Sequence, residues 1–370
     1  MDRISAKNSA PRVRSRGMSL VELLVAAAIG IIASLAIFQV FAVFEGQKRT
    51  TTSGGEAQTN GTLALFTVER EVRLSGYGFN AADLVGCTAQ GWDQLTSAAL
   101  TPWTLAPVVI NQGAGSTPGV AGSPDTVMVM YGNGEQLPAP VTLGVNSLGT
   151  ADDFFKIFNP FGFRKGDVVV FAEAGKPCTL AQVSEIPPAT GDSTKINVQP
   201  GTFVNTAGAT VPTRYNNPAG LGTAYTTSGK VFNLGDTPII KTLSVQNAQL
   251  VSQPIGSPTA MPLYDGIAQV QAQYGKDTNN DGVVDLFDED TPTNTAGWAA
   301  VLAVRIAIVA RSSLYEKDLV SPATIRLWED SAAVPTTTGP VWTPTADERH
   351  YRYKVFQTVI PLRNMIWRPQ

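Results

Sequence analysis

The sequence predicts an α+β protein, in which one long N-terminal helix precedes a large antiparallel β-rich globular domain. Two observations predict this class. The 27 residues from Met18 to Phe44 hold a single ionisable group, Glu22, and helical periodicity returns after Glu56. Beyond residue 80, short apolar runs alternate with clusters of Gly, Pro, Asn and Thr, which is the pattern of strands separated by turns.

The apolar segment Met18–Phe44 is long enough to cross a bilayer, which takes roughly 20 apolar residues. Five basic residues and one acidic residue precede it within residues 1–17. Because cytoplasmic flanks are rich in Lys and Arg, we expect a cytoplasmic N-terminus and an exported globular domain. A carboxylate inside such a segment is costly unless it is paired, so Glu22 is a candidate functional residue. The alternative is a glutamate near a helix end that reaches the lipid headgroups.

An amphipathic helix is predicted to follow the apolar segment. Gly46, Gly54 and Gly55 weaken helical structure, which predicts a kink or a melted turn within residues 46–55. From Glu56 the apolar positions recur every three or four residues on one face. These positions are Ala57, Gly61, Ala64, Leu65, Val68 and Val72. The turn residues 75–78 are expected to end the helix.

The globular part is predicted to contain a series of short strands. The candidates are Thr126–Tyr131, Asp167–Ala172, Leu180–Ile186, Lys230–Leu234, Ile239–Val245, Ile267–Tyr274, Val301–Ala310, Ala323–Trp328 and Tyr353–Leu362. Long loops are expected near 111–124, 187–228 and 290–298. In Ile267–Tyr274 the glutamines at 269, 271 and 273 alternate with Ala and Val, which indicates two different faces.

Composition limits the function classes. Of 370 residues, 43% are hydrophobic and only 15% charged, and the net charge is −3. Such a charge gives no electrostatic footprint for nucleic acid. The two cysteines, Cys87 and Cys178, predict one disulfide if the domain is exported to an oxidising compartment. Two separate buried thiols are the alternative.

An acidic segment near residue 280 resembles a calcium-binding loop. Oxygen ligands fall at the template positions, with Gly282 at the sharp turn. The candidate ligands are Asp277, Asn279, Asp281, the Val283 carbonyl, Asp285 and Asp288. The preceding segment reads as a strand, so the loop is not a true EF-hand, and a solvated acidic turn is the alternative.

An enzyme is not predicted, and neither is a small-molecule substrate. His350 is the one histidine in the sequence, so a site built on several histidines is excluded. No nucleophile-elbow motif supports a Ser-His-Asp site, and His350 is interpreted as a surface or strand-end residue. The aromatic segment 154–163 contains five phenylalanines. We expect core packing for them, with an exposed subunit interface as the alternative.

The border between basic and apolar sequence, Arg16-Gly17-Met18-Ser19-Leu20-Val21-Glu22, resembles the class III signal of type IV prepilins. In an ordinary signal peptide the small-residue cleavage site follows the apolar core, whereas here Gly17 precedes it. The resemblance implies cleavage between Gly17 and Met18 by prepilin peptidase and N-methylation of Met18. Glu22 then becomes the fifth mature residue, paired with the N-terminal amine of the same or a neighbouring chain. That family most often has Phe where this chain has Met18.

Later blocks resemble the PilW-type minor pilins. They are 69–77 with Cys87 soon after, 166–170 before the second cysteine, 270–275 running into the acidic loop, 303–312, and the closing strand 355–364. The resemblance implies a type IV pilin-like fold. Its expected parts are a leader (1–17), a transmembrane and filament-core helix (18–44), an amphipathic helix (45–76) and a β-rich extracytoplasmic domain (77–370).

The function implied by this resemblance is assembly or priming of a type IV pilus, within a tip complex. The implied partners are prepilin peptidase, other minor pilins, the major pilin and, before assembly, the inner membrane. The globular domain is then expected in the periplasm and later on the pilus. The alternatives are a minor pseudopilin of a type II secretion system and a pilus-tip adhesin.

Overall fold

The computed structural model describes residues 17–78, 85–134, 139–144, 148–186, 192, 194–328 and 339–366, with Ile366 described by its backbone alone. The chain divides into two units, residues 1–53 and residues 54–370. The first unit contains the N-terminal part of a helix, and the second contains the rest of that helix and all the strands.

Helix α1 runs from Leu20 to Leu74, close to the predicted bounds. The melted turn predicted within residues 46–55 is wrong, because the chain is helical throughout that range. Each glycine costs up to about 1 kcal/mol relative to Ala, but extending an existing helix adds a hydrogen bond for each residue fixed, whereas starting a new one is costly. Helical structure therefore persists through Gly46, Gly54 and Gly55.

The described residues after α1 form short strands. In chain order, the first are β1 (Thr88–Gln90), β2 (Trp92–Asp93), β3 (Ala98–Ala99), β4 (Trp103–Thr104), β5 (Val108–Asn111), β6 (Val120–Ala121), β7 (Thr126–Tyr131), β8 (Val141–Thr142), β9 (Phe154–Lys156), β10 (Val168–Ala172), β11 (Cys178–Gln182) and β12 (Lys195–Asn197). The others are β13 (Thr202–Val204), β14 (Thr210–Pro212), β15 (Lys230–Gly235), β16 (Ile239–Gln246), β17 (Gln249–Pro254), β18 (Met261–Asp265), β19 (Ile267–Lys276), β20 (Leu286–Asp288), β21 (Val301–Arg311), β22 (Ile325–Arg326), β23 (Val341–Trp342) and β24 (Tyr353–Pro361). Two short helices, α2 (Thr295–Ala299) and α3 (Arg363–Ile366), and a 3-10 turn (Glu348–His350) complete the described elements.

Three larger sheets organise the second unit. Their strand orders are β4-β1-β11-β10-β15-β8, β18-β17-β16-β7-β5 and β20-β19-β21-β24. Smaller groups, β22-β23-β6, β12-β9, β13-β14 and β2-β3, pair among themselves. Pairing is antiparallel except for β1 with β11 and β6 with β23. The predicted antiparallel β-rich domain with a long N-terminal helix is therefore confirmed.

The second half of α1 belongs to the main hydrophobic core. Ala57, Ala64, Val68 and Val72 are buried there with residues of the sheets that contain β7 and β19. The apolar face predicted from the three- and four-residue spacing is confirmed. Both faces of the six-stranded sheet are also covered: along β10, Val168 and Val170 join one core cluster, while Val169 and Phe171 join another.

Most predicted strands are confirmed with shifted ends. Thr126–Tyr131 is confirmed at both ends, whereas Leu180–Ile186 is replaced by Cys178–Gln182 and Ala323–Trp328 shortens to two paired residues.

The loop predicted at 187–228 contains β12, β13 and β14, although residues 187–191 and 193 lie outside the described part. The second strand of hairpin β16–β17 was not predicted. Its turn is Asn247-Ala248, with positive φ at both residues, whereas such a turn is usually recognised in a sequence by Asn-Gly.

Candidate functional site

The first half of α1 presents apolar side chains on all sides. From Leu20 to Phe44 the large apolar residues are between 52% (Val25) and 78% (Leu20) exposed. Among the described residues, α1 is the helix long and apolar enough to cross a membrane. Exposed apolar patches of this extent mark interaction sites with proteins or membranes. The segment therefore needs lipid or other subunits around it.

The residues of the predicted cleavage site lie directly at the start of α1. Gly17 and Met18 precede the helix and are exposed, while leader residues 1–16 lie outside the described part. The Ser19 Oγ accepts a hydrogen bond from the Glu22 N–H, and Glu22 Oε2 accepts one from the Ser19 N–H, both at 3.2 Å. This reciprocal pair is a capping box, which satisfies two N–H groups left open at a helix start.

The capping box gives Glu22 a local role that the sequence analysis missed. The Ser-x-x-Glu spacing at Ser19 and Glu22 is the signal that would have indicated it. Only one carboxylate oxygen takes part, and Oε1 has no hydrogen-bond partner among the described residues. That oxygen is available to a second donor, such as an N-terminal amine.

Cys87 and Cys178 form a disulfide, as predicted, and no free cysteine exists among the described residues. The bridge lies where β1 runs parallel to β11, with Ala89 opposite Cys178. It therefore fastens the strand that follows α1 to the interior of the six-stranded sheet.

The acidic loop connects β19 to β20. The carboxylate of Asp277 accepts hydrogen bonds from the backbone N–H groups of Asp281 (3.2 Å) and Gly282 (2.8 Å). Gly282 has φ +87°, which agrees with the sharp turn predicted there. The Asn279 Nδ2 lies 3.2 Å from Asp281 Oδ2 and 3.4 Å from Asp285 Oδ1. Four of the predicted ligands are thus linked within one loop.

Of the other two predicted ligands, Asp288 lies outside the loop and Val283 lies within it. Asp288 belongs to β20, where its carboxylate is 2.6 Å from the Lys276 ammonium. Val283 is exposed, and its N–H donates to Asp281 Oδ1. Among the described residues, no group of three or more His, Cys, Asp or Glu side chains is arranged to hold a metal ion. Calcium binding by these oxygen donors stays a prediction.

A buried carboxylate that the sequence did not indicate connects α1 to the five-stranded sheet. Glu71 accepts hydrogen bonds from Arg70 Nη2 (2.8 Å) and the Tyr131 hydroxyl (2.6 Å), and the Lys241 ammonium lies 2.9 Å away. Burial raises the pKa of Glu71, but these three donors outweigh it and leave the pKa below its ordinary value. The cluster fixes the end of the helix on the sheet.

A second buried carboxylate, Asp125, lies against the backbone of β19. Its oxygens accept hydrogen bonds from the Gly113 N–H (2.8 Å) and the Ala272 N–H (2.9 Å). Burial raises the pKa of Asp125 to about 7, although both hydrogen bonds oppose the shift. Gln269, Gln271 and Gln273 on the same strand are also buried. The glutamine face of β19 is therefore interior, covered by a loop that sequence alternation alone could not place.

His350 has structural partners. Its ring stacks on Tyr315 with centroids 4.6 Å apart, and Nδ1 lies 2.7 Å from the Glu316 carbonyl oxygen. Its position in the 3-10 turn before β24 agrees with the strand-end interpretation.

The aromatic segment 154–163 divides into interior and exposed rings. Phe155 and Phe163 are buried, which confirms core packing for them. Phe158 and Phe161 are 75% and 74% exposed, so for these two the core prediction is wrong. Asn159 Oδ1 accepts from the Phe161 N–H, and this local turn directs the chain away from the core.

Comparison with known proteins identifies one family. Residues 225–364 match the model of the family described as Type IV Pilus-assembly protein W. No curated protein and no solved structure matches the chain. The matched range includes β19, β21 and β24, which carry three of the five blocks of the predicted resemblance, whereas the blocks 69–77 and 166–170 lie outside it. Through these 140 of the 370 residues, the chain is similar to the PilW-type proteins of type IV pilus assembly.

Proposed function

We propose that the chain is a minor pilin, processed by prepilin peptidase, that helps to prime pilus assembly within a tip complex. The observation that supports it most is the start of α1: an exposed apolar helix with Gly17-Met18 directly before it and Glu22 in its first turn. The family match to pilus-assembly proteins supports the same role.

The mechanism requires no catalysis. The apolar segment Leu20–Phe44 first lies in the inner membrane, with the globular domain in the periplasm, and then packs among the helices of other pilins. Cleavage after Gly17 creates a free amine on Met18. The carboxylate of Glu22, which has one oxygen outside the capping box, then pairs with the amine of a neighbouring subunit. Such a pair lowers the cost of keeping both charges away from water.

The test is Glu22→Ala in a strain that lacks the native gene. We expect normal processing, read as a peptide that begins with N-methylated Met18 by mass spectrometry, and pilus numbers as low as in the strain without the gene. Glu45→Ala is the matched control, because Glu45 lies on the same helix and is exposed in an i,i+4 pair with Arg49. It should support normal piliation.

Two results would contradict the proposal. Normal pilus numbers with Glu22→Ala would remove the role of this carboxylate. Normal pili in the strain without the gene, together with loss of protein secretion, would favour the pseudopilin alternative.

We also propose calcium binding by the loop between β19 and β20, on the chemistry of its donor set. Asp277, Asn279, Asp281 and Asp285 supply carboxylate and amide oxygens, which calcium prefers. Calorimetry of the full chain in detergent with calcium chloride should give a binding heat that Asp277→Ala/Asp281→Ala abolishes. Asp318→Ala, an exposed acid outside the loop, should keep the heat. Equal heats in all three proteins, or none in the unmodified chain, would reject the site.

A further inference from the structure

A cavity of about 230 Å³ lies against the six-stranded sheet. Hairpin β2–β3, strand β11 and the segments 152–153 and 216–222 line it. Leu100, Leu180 and Leu221 give it an apolar wall, and all three are buried. Pockets for drug-sized ligands are usually larger than about 300 Å³, so this cavity fits a smaller molecule.

Hydrogen bonds hold the walls of the cavity in place. Asn216 donates from Nδ2 to the carbonyls of Gln182 and Gln199, both at 2.8 Å, and accepts from the Gln182 N–H at 2.7 Å. The Gln94 side chain donates to the Asn216 carbonyl at 2.7 Å, which ties hairpin β2–β3 to the same segment. The cavity is therefore formed in advance of any ligand.

Acceptor groups without a hydrogen-bond partner among the described residues lie in this wall. Gln90 uses its amide hydrogens on Thr223 Oγ1 (2.6 Å) and Thr179 Oγ1 (3.3 Å), so its Oε1 remains an acceptor. Asp152 binds the Gly149 N–H through Oδ2 only. Asp153 has no side-chain hydrogen bond among the described residues, although its carbonyl accepts from the Val198 N–H at 2.7 Å and fixes its backbone.

A donor group lies in the same wall. The side-chain oxygen of Asn217, Oδ1, accepts from the Ala219 N–H, which leaves the side-chain NH₂ group without a hydrogen-bond partner among the described residues. A ligand that displaces water from this wall must supply an acceptor to that group, because a hydrogen bond to water that is not replaced lowers the affinity.

We infer that this cavity binds one pyranose ring of an uncharged glycan. A hydroxyl group both donates and accepts, so a ring with several hydroxyls satisfies the acceptors and the donor together. The apolar C–H face of such a ring suits Trp92, Leu100 and Leu221. Asp152 and Asp153 repel phosphate, sulfate and carboxylate groups, which disfavours acidic sugars. An ammonium ligand would satisfy the aspartates but leave the Asn217 NH₂ group unpaired.

This inference does not depend on the proposed role in pilus assembly. Saturation-transfer NMR on the full chain in detergent tests it, with the methyl pyranosides of glucose, galactose and mannose as neutral probes. N-acetylneuraminic acid is the acidic probe, and an N-acetyl-lysine amide is the ammonium probe. We expect at least one neutral pyranoside to bind and the acidic and ammonium probes to bind more weakly.

Two variants locate the binding. Asp153→Asn removes a charge and part of the acceptor set, and should weaken pyranoside binding about tenfold, which corresponds to the loss of roughly one good hydrogen bond to a charged group. Trp92→Phe replaces the indole that lines the cavity with a smaller ring and so reduces the apolar contact with the pyranose, so it should also weaken binding. Asp318→Asn, an exposed acid not among the cavity residues, is the control and should bind like the unmodified chain.

Each of three results would overturn the inference. They are no binding of any neutral pyranoside, tighter binding of the ammonium probe than of the pyranosides, and pyranoside binding unchanged in both cavity variants. Circular dichroism of each variant checks that the fold is kept, and Trp92→Phe still tests the site if Asp153→Asn does not fold.

Discussion

At the scale of single residues, the charges inside the molecule matter more than those on its surface. Glu71 is 1% exposed and has three donors around it, two of them cations. Removing one partner of a buried ion pair leaves the other without compensation, whereas exposed pairs contribute little. Lys241 would lose its counter-ion if Glu71 were neutral.

Glu71→Gln should therefore lower the free energy of unfolding by about 3 kcal/mol at neutral pH. The pKa of Glu71 is lower in the folded protein than the ordinary carboxyl pKa of 4.5. Its contribution to the free energy of unfolding is therefore present above pH 4.5 and is lost as the pH falls through the pKa of the folded protein. The difference between the two proteins should shrink in acid. Denaturant unfolding of the full chain in detergent, followed by tryptophan fluorescence at pH 7 and in acid, measures it.

Glu69→Gln is the control for this prediction. Glu69 pairs with Arg73 one turn away on the same helix, and the Arg73 side chain is exposed. The expected change is below about 0.5 kcal/mol. An equal loss in both variants, or a Glu71→Gln difference that does not depend on pH, would contradict the interpretation.

Sequence reasoning singled out Gly17, Met18 and Glu22, whose processing and assembly roles stay predictions, but it did not indicate these interior charges, and the reason is distance along the chain. Gly17, Met18, Ser19 and Glu22 lie within six positions, so their spacing is visible without a structure. Glu71 finds Tyr131 and Lys241 only after the sheet has formed. The cavity residues likewise come from segments as far apart as Trp92 and Asn217.

At the scale of elements, the close approach of α1 to β24 depends on one glycine. A Cβ at Gly61 would lie 2.1 Å from the ring of Phe356 and 2.9 Å from Ala310 Cβ. At Gly55, on the same helix, a Cβ would meet no atom within 4 Å. The two glycines are equal in helix propensity, so comparing them separates packing from propensity.

Gly61→Ala should destabilise the protein by about 1–3 kcal/mol through overpacking, in spite of the better propensity of Ala. Gly55→Ala should leave the protein unchanged or stabilise it by up to about 1 kcal/mol. Thermal unfolding of the two variants beside the unmodified chain measures both effects. A stabilised Gly61→Ala would mean that Phe356 moves away at no cost.

Elements were predictable where their pattern was local. The buried face of α1 and the strand β7 followed from periodicity. The sheet edges and the short strands β12 to β14 did not, because two- and three-residue pairings depend on partners from elsewhere in the chain. The burial of the glutamine face of β19 also could not be predicted, since a buried hydrogen-bonded glutamine and an exposed one have the same spacing in the sequence.

At the scale of the whole molecule, the Cys87–Cys178 disulfide closes a long covalent loop. It joins residues 91 positions apart, at the parallel contact of β1 with β11. In the chain-entropy account, closing a loop of this length removes more freedom from the unfolded chain than closing a short one. The strand after α1 and the centre of the six-stranded sheet are consequently held together even when their hydrogen bonds open.

Cys87→Ser/Cys178→Ser should lower the free energy of unfolding by roughly 4 kcal/mol. Because Cys178 is fully buried, Cys87→Ala/Cys178→Ala is the matched variant that separates loss of the bridge from burial of a hydroxyl group. Both variants should unfold at similar, lower denaturant concentrations, and the unmodified chain should fall to the same midpoint in a reducing agent. If the alanine variant instead unfolds like the unmodified oxidised chain, the six-stranded sheet is stable without the bridge.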